Sequence, residues 1–168
     1  MPESNTPTNN LPEFQGTIEI NRMVDASLPD DRICGVLSCI LADAGFSAGS
    51  ISVAIVDDAT IHQLNRQYLD HDWPTDVLSF LLEEDRAAGW LNGEVVVSQE
   101  TAARQAAGYS WTSTEELLLY LIHGTLHLAG FDDADEALRR EMRQAEDRYL
   151  ARAGIARPPS PVSGKAAP

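Results

Sequence analysis

His123 and His127 stand four residues apart, and a glycine and two aspartates follow them in the run His123-Gly124-Thr125-Leu126-His127-Leu128-Ala129-Gly130-Phe131-Asp132-Asp133. At that spacing both imidazoles share one face of a helix, Gly130 can end the helix, and the turn beyond can return Asp133 to the same point. The pattern predicts a three-ligand metal site of His123, His127 and Asp133. Two imidazoles and one carboxylate suit zinc and leave a fourth position for water or substrate.

A pair of histidines at i,i+4 is also the pattern of two satisfied core or boundary side chains. Leu117 to Ile122 is apolar all round, so His123 is expected to be at least partly buried, where an unpartnered polar ring is costly. A metal supplies the missing partner. The metalloprotease pattern HExxH places its general base beside the first histidine, and here that position is Gly124, so a peptidase reading lacks its base. A glycine there fits close approach of backbone or substrate to the helix.

The elements that must position these residues follow from hydrophobic periodicity. Ile18 and Ile20 mark a first strand, and residues 29 to 44 a helix with Ile33, Leu37, Ile40, Leu41 and Ala44 on its apolar face. Ile51, Val53 and Ile55 alternate in a second strand, after which Asp57 or Asp58 caps a helix carrying Ile61, Leu64 and Tyr68. A third strand is expected around Val77 to Leu81, then a charged loop to about Gly89, then a fourth strand at Glu94 to Val97. Residues 99 to 107 form a small-residue helix that Gly108 ends. Thr112 and Ser113, each three residues before a glutamate, carry the capping-box signal for the histidine helix, and a last helix spans about 134 to 152. Leu138, Met142, Ala145 and Tyr149 are its core stripe. These elements predict a single α/β domain over residues 17–154, with a mixed sheet of about four strands covered by helices. Residues 1–16 and 155–168, rich in proline and small polar residues, are expected to be disordered tails.

Composition narrows the partners. The 168 residues are 43% hydrophobic, enough for one real core, and 26 acidic residues against 12 basic ones give a formal net charge of -14. Such a surface repels polyanions on average, so a nucleic-acid substrate needs a local positive patch or metal contacts. Cys34 and Cys39 imply no disulfide framework. No signal peptide is visible, and no apolar run reaches the roughly 18 residues of a membrane span. A soluble cytoplasmic protein is expected.

Several blocks of this chain together resemble the bacterial YbeY-type endoribonucleases. They are HGTLHLAGFDD itself, Asn65 through Tyr68, the block Asp72-Trp73-Pro74-Thr75-Asp76-Val77-Leu78-Ser79-Phe80, and the strand Gly93-Glu94-Val95-Val96-Val97-Ser98 before the alanine-rich helix. The resemblance implies a zinc-dependent, single-strand-specific endoribonuclease acting in rRNA maturation and ribosome quality control, with one zinc ion per chain. It implies rRNA or a ribosomal particle as partner, with a ribosomal or assembly protein as a second class, and neither DNA nor membrane. His123 and His127 match the family's first two metal histidines.

Two departures stand out. The third family histidine falls on Asp133, which lowers the net charge of the metal centre. Asp132 is the alternative ligand, although the family's aspartate position suits it to orienting a ligand histidine from outside. The family's arginine after the aromatic residue matched by Tyr68 is replaced by Leu69, which cannot bind phosphate. Arg66, three residues before Leu69 on the same helix face, is the candidate catalytic replacement, and His71 is a second phosphate contact. Glu94 reads chiefly as a structural carboxylate, and Thr75, Asp76 and Ser79 as architectural. The competing function is a weakly active or non-catalytic, metal-stabilised ribosome-assembly factor.

Overall fold

Alternating apolar residues in the strands divide the sheet into a deeply covered face and a lightly covered one. The computed structural model describes residues 12–159. In chain order its elements are β1 (Thr17–Arg22), α1 (Asp30–Asp43), β2 (Ala48–Val56), α2 (Asp58–Leu69), β3 (Val77–Asp85), β4 (Trp90–Ser98), α3 (Gln99–Ala107), α4 (Ser113–Leu128) and α5 (Glu136–Arg152). The strands form one sheet in the order β1-β2-β4-β3, with β1, β2 and β4 parallel and β3 antiparallel to β4. The chain is thus a single α/β domain with a four-stranded mixed sheet, as the periodicity predicts.

Ile51, Val53 and Ile55 of β2 and Leu91, Val95 and Val97 of β4 join the main core with apolar residues of α1, α4 and α5. The other face carries a smaller cluster of Val56, Ile61, Leu78 and Val96, covered by α2. α4 is the most enclosed helix because it lies between the sheet and its neighbouring helices. Gly93 and Gly124 allow this: a Cβ on Gly93 would lie 2.8 Å from Leu128, and one on Gly124 would lie 2.6 Å from Val95. The close approach expected at Gly124 is therefore an approach to the sheet. Ser79 fixes it by donating its hydroxyl to the Gly124 carbonyl at 2.8 Å.

Two details differ from the sequence expectation, and one open alternative is decided. The charged loop after Leu81 is strand: β3 runs to Asp85 and turns within Arg86 to Gly89 into β4, which begins at Trp90. Because β3 is an edge strand, Glu83, Glu84 and Asp85 project into solvent while their backbone pairs with β4, so charge does not interrupt the ladder. Of the two candidate caps, Asp57 accepts the Thr60 amide at 2.8 Å. Asp58 instead reaches across to α3, accepting from Ser98 at 2.6 Å, Thr101 at 2.7 Å and Arg104. Packing also extends past residues 17 and 154, because Phe14 and Ile155 are buried in the main core. The expectation of disorder at 1–11 and 160–168 lies outside the described residues. Among the described residues, no helix is long and apolar enough to cross a membrane, and both cysteines are free.

Candidate metal centre

The histidine helix begins with the predicted device. The Thr112 hydroxyl accepts the Glu115 amide while the Glu115 carboxylate accepts the Thr112 amide at 2.7 Å, which fixes the first turn of α4. At its other end Gly130 adopts φ of +108°, and the Phe131 amide bonds the Leu126 carbonyl at 3.0 Å while the Gly130 amide bonds the His127 carbonyl. This left-handed closure reverses the chain so that Asp133 faces back to the helix.

His123, His127 and Asp133 converge there, each able to offer one donor atom with all three within 4.8 Å of one another. The two Nε2 atoms stand 3.0 Å apart, and an Asp133 oxygen lies 3.4 Å from that of His123 and 3.5 Å from that of His127. Asp132 does not join them; its carboxylate accepts the Asp133 amide at 2.7 Å and so shapes the turn that aims its neighbour.

Each ring is oriented from behind. Nδ1 of His123 lies 2.6 Å from the Glu146 carboxylate, and Nδ1 of His127 lies 3.2 Å from the Phe131 carbonyl. Both partners are acceptors, so both Nδ1 atoms carry hydrogen and both Nε2 atoms point at the same small volume. Two ring nitrogens 3.0 Å apart call for a proton or a metal ion between them. Ligands at about 2.0–2.1 Å in a tetrahedron stand roughly 3.3 Å apart, which the three separations bracket. The residues present fit a divalent metal ion.

Charge supports the same preference. Burial opposes protonation of His123, but the hydrogen bond from its ring to Glu146 and the charges of Glu146, Asp133 and Asp76 outweigh burial and raise its pKa. Burial likewise opposes the Glu146 anion, yet His123 and Arg157 hold its pKa below the ordinary carboxylate value. Arg157 also bonds Asp147 at 2.6 Å, so the segment after α5 clamps the carboxylate that clamps the ligand. Glu146 and Arg157 escape sequence reading. A glutamate beside Met142, Ala145 and Tyr149 on a buried stripe was the available signal for the first; Arg157 lies in a stretch that reads as tail.

The other candidates lie elsewhere. Arg66 is 71% exposed, stands 3.9 Å from Asp72, and lines a depression on the outer side of α2 with Ala59, His62, Gln63 and Gln67. That depression includes none of the three clustered residues, and α2 covers the sheet face opposite α4. His71 stacks on Trp73 with ring centroids 4.6 Å apart, and Leu69 is exposed. Glu94 belongs to the α2 side, beside Leu64, Tyr68 and Phe80. At the start of β3 the Asp76 carboxylate accepts the Thr75 hydroxyl at 3.3 Å and the Val77 amide at 2.9 Å, the architectural role expected of the pair, although the charge of Asp76 also reaches His123.

Fold and site together define an α/β protein with a two-histidine, one-carboxylate centre at the C-terminal end of a buried helix. The chain belongs to the YbeY family: the family model described as endoribonuclease YbeY matches residues 21–154. It is 47% identical over 116 residues to endoribonuclease YbeY of Rhodopirellula baltica, covering 68% of this chain and 59% of that protein. It is 38% identical over 143 residues to endoribonuclease YbeY of Carboxydothermus hydrogenoformans, covering 83% and 99% of the two chains. The solution structure of TM1509 from Thermotoga maritima matches with a TM-score of 0.59 at 29% identity, covering 81% of this chain and 88% of that one.

Proposed function

We propose that this protein is a zinc-dependent, single-strand-specific endoribonuclease of the cytoplasm that acts on rRNA or a ribosomal particle, in rRNA maturation and ribosome quality control. The observation that carries the reading is the pair of facing Nε2 atoms closed by Asp133, in a chain of the YbeY family. His123, His127 and Asp133 would hold the ion. When bound, zinc supplies Lewis acidity toward a phosphodiester oxygen or toward a water.

The chain's own residues set the terms of that chemistry. Glu146 and the Phe131 carbonyl hold Nδ1 of each ring, which leaves Nε2 as the atom each ring presents to a metal. The carboxylate of Asp133 adds negative charge beside the reacting phosphate, which weakens attraction of RNA relative to a centre of three neutral imidazoles.

Cleavage of a single-stranded rRNA fragment by the zinc-loaded protein, with and without chelator, tests the proposal. Wild type is expected to cleave, and chelator or His127→Ala to abolish cleavage. A zinc-loaded wild type that cleaves no better than His127→Ala overturns the enzyme reading. Retained binding to a ribosomal particle would then favour the assembly-factor reading, which the net charge of -14 and the aspartate at position 133 support.

A further inference from the structure

The acidic balance of this chain makes the placement of its few cations informative. Among the described residues Arg22, Arg66, Arg86, Arg104, Arg152 and Arg157 each lie within 4.0 Å of a carboxylate. Arg32 and Arg148 lack one but lie against the Ala153 carbonyl and the Tyr149 ring; Arg139, Arg140 and Arg143 also have no such partner. All three line the same depression, about 310 Å³ in volume, whose wall also includes His123, Asp133 and Glu146.

Their spacing on α5 explains the convergence. Positions 139, 140 and 143 are related by three and four residues, so they form one stripe along the helix, about one turn long. Met142, behind that stripe, is buried and holds the helix against the core. The carboxylates in the depression do not neutralise the stripe, because Glu146 is engaged by His123 and Arg157 and an Asp133 oxygen faces the two histidines. Only Glu136 remains. Arg139 also approaches the Asp133 carbonyl at 3.4 Å, which places its guanidinium next to the candidate ligand turn.

We infer that Arg139, Arg140 and Arg143 form the phosphate-binding wall of the site, gripping the backbone of a single RNA strand whose adjoining phosphodiester lies at His123, His127 and Asp133. This rests on the proposed ribonuclease reading and extends it to substrate contacts. Guanidinium groups suit the task because their forked donors match phosphate oxygens, and free ones need not break an ion pair first. The stripe also supplies what a net charge of -14 demands, a local positive surface at the chemistry itself. It stands on the metal side of the sheet, whereas Arg66 stands on the other.

The test measures binding apart from cleavage. Affinity of the zinc-loaded protein for a fluorescent 2'-O-methyl single-stranded oligonucleotide is followed by anisotropy across a salt series, and ordinary RNA of the same sequence is used for turnover. Each of Arg139→Ala, Arg140→Ala and Arg143→Ala is expected to weaken binding on the order of three- to tenfold. The triple alanine variant should lower the steepness of the log affinity against log salt plot by about 2, at roughly 0.7 per lost phosphate contact on a single strand. Its KM should rise more than its kcat falls, the triple lysine variant should recover the salt slope, and Arg148→Ala should behave as wild type. A triple alanine variant with wild-type affinity and salt slope, in a protein that still cleaves RNA, overturns the inference alone. A wild-type protein that neither binds nor cleaves RNA overturns the ribonuclease reading and the inference with it.

Discussion

Replacing Gly124 by alanine separates two opposing effects that the structure puts on a common scale. In an open helix the change gains about 1 kcal/mol of helix propensity. At this position the new Cβ would lie 2.6 Å from Val95 Cγ1, 2.9 Å from Ser79 Oγ and 2.9 Å from Val77 Cγ2. Two of those neighbours are β-branched residues on paired strands, so they cannot rotate away, and α4 must lift from the sheet. Overpacking of this kind costs about 1–3 kcal/mol, and three contacts below 3.0 Å put it toward the upper end. The net expectation is a loss of about 1–2 kcal/mol, or roughly 2–8 °C in melting temperature. Gly35 is the internal control: it lies within α1, and nothing stands within 4 Å of its Cβ position. Gly35→Ala should therefore raise stability by about 0.4–1 kcal/mol. Urea unfolding followed by circular dichroism measures both, on metal-free protein so that ligand binding does not mask the difference. A Gly124→Ala midpoint at or above wild type, beside the expected gain at Gly35, refutes the packing argument.

Two further outcomes are expected. Glu146→Gln keeps the shape of the side chain but removes the anion behind His123, and should weaken zinc binding by about 10–100-fold in a competition titration against a chelator; unchanged affinity would show that the outer carboxylate does not tune the ligand. Asp58 bears on acid stability. Burial opposes its ionisation, but hydrogen bonds from Arg104, Ser98 and Thr101 prevail and lower its pKa to about 2. A depressed carboxylate contributes stability that is present above its unfolded value and lost as pH falls through the folded one. Asp58→Asn should therefore lose stability at neutral pH and show a shallower decline between about pH 4 and 2 in a pH series of urea melts.

What the sequence makes legible depends on whether a signal is local. The α4 capping box, the i,i+4 histidine pair and the Gly130 stop are all contained within one helix and its ends, and the structure forms each as its residues dictate. Alternation likewise marks β2, because one face of that strand is fully buried. The second half of β3 is hidden because an edge strand exposes its side chains, so Glu83, Glu84 and Asp85 carry the pattern of a loop. Arg66 is drawn toward the site by its distance in sequence from Leu69, whereas its position is decided by which sheet face α2 covers, a tertiary fact. Glu146 is one acidic residue among many on α5, and only the helix packing against α4 distinguishes it from its exposed neighbours. Phe14 and Ile155 are single apolar residues in proline-rich surroundings, and their burial depends on a core assembled from elsewhere in the chain.

The clamp behind His123 also sets an order of events during synthesis. Glu146 follows His123 by 23 residues, and Arg157 follows Glu146 by a further 11. A nascent chain that has emerged as far as Asp133 therefore exposes every candidate metal ligand, while Glu146 and Arg157, which fix the first one, are still to emerge. The growing chain can collapse its sheet and bury α4 while the ring of His123 still lacks its partner. The anchored carboxylate is consequently the last part of the centre to become available, and a chain truncated before Arg157 would keep a complete ligand set without the clamp on Glu146 that holds it in register.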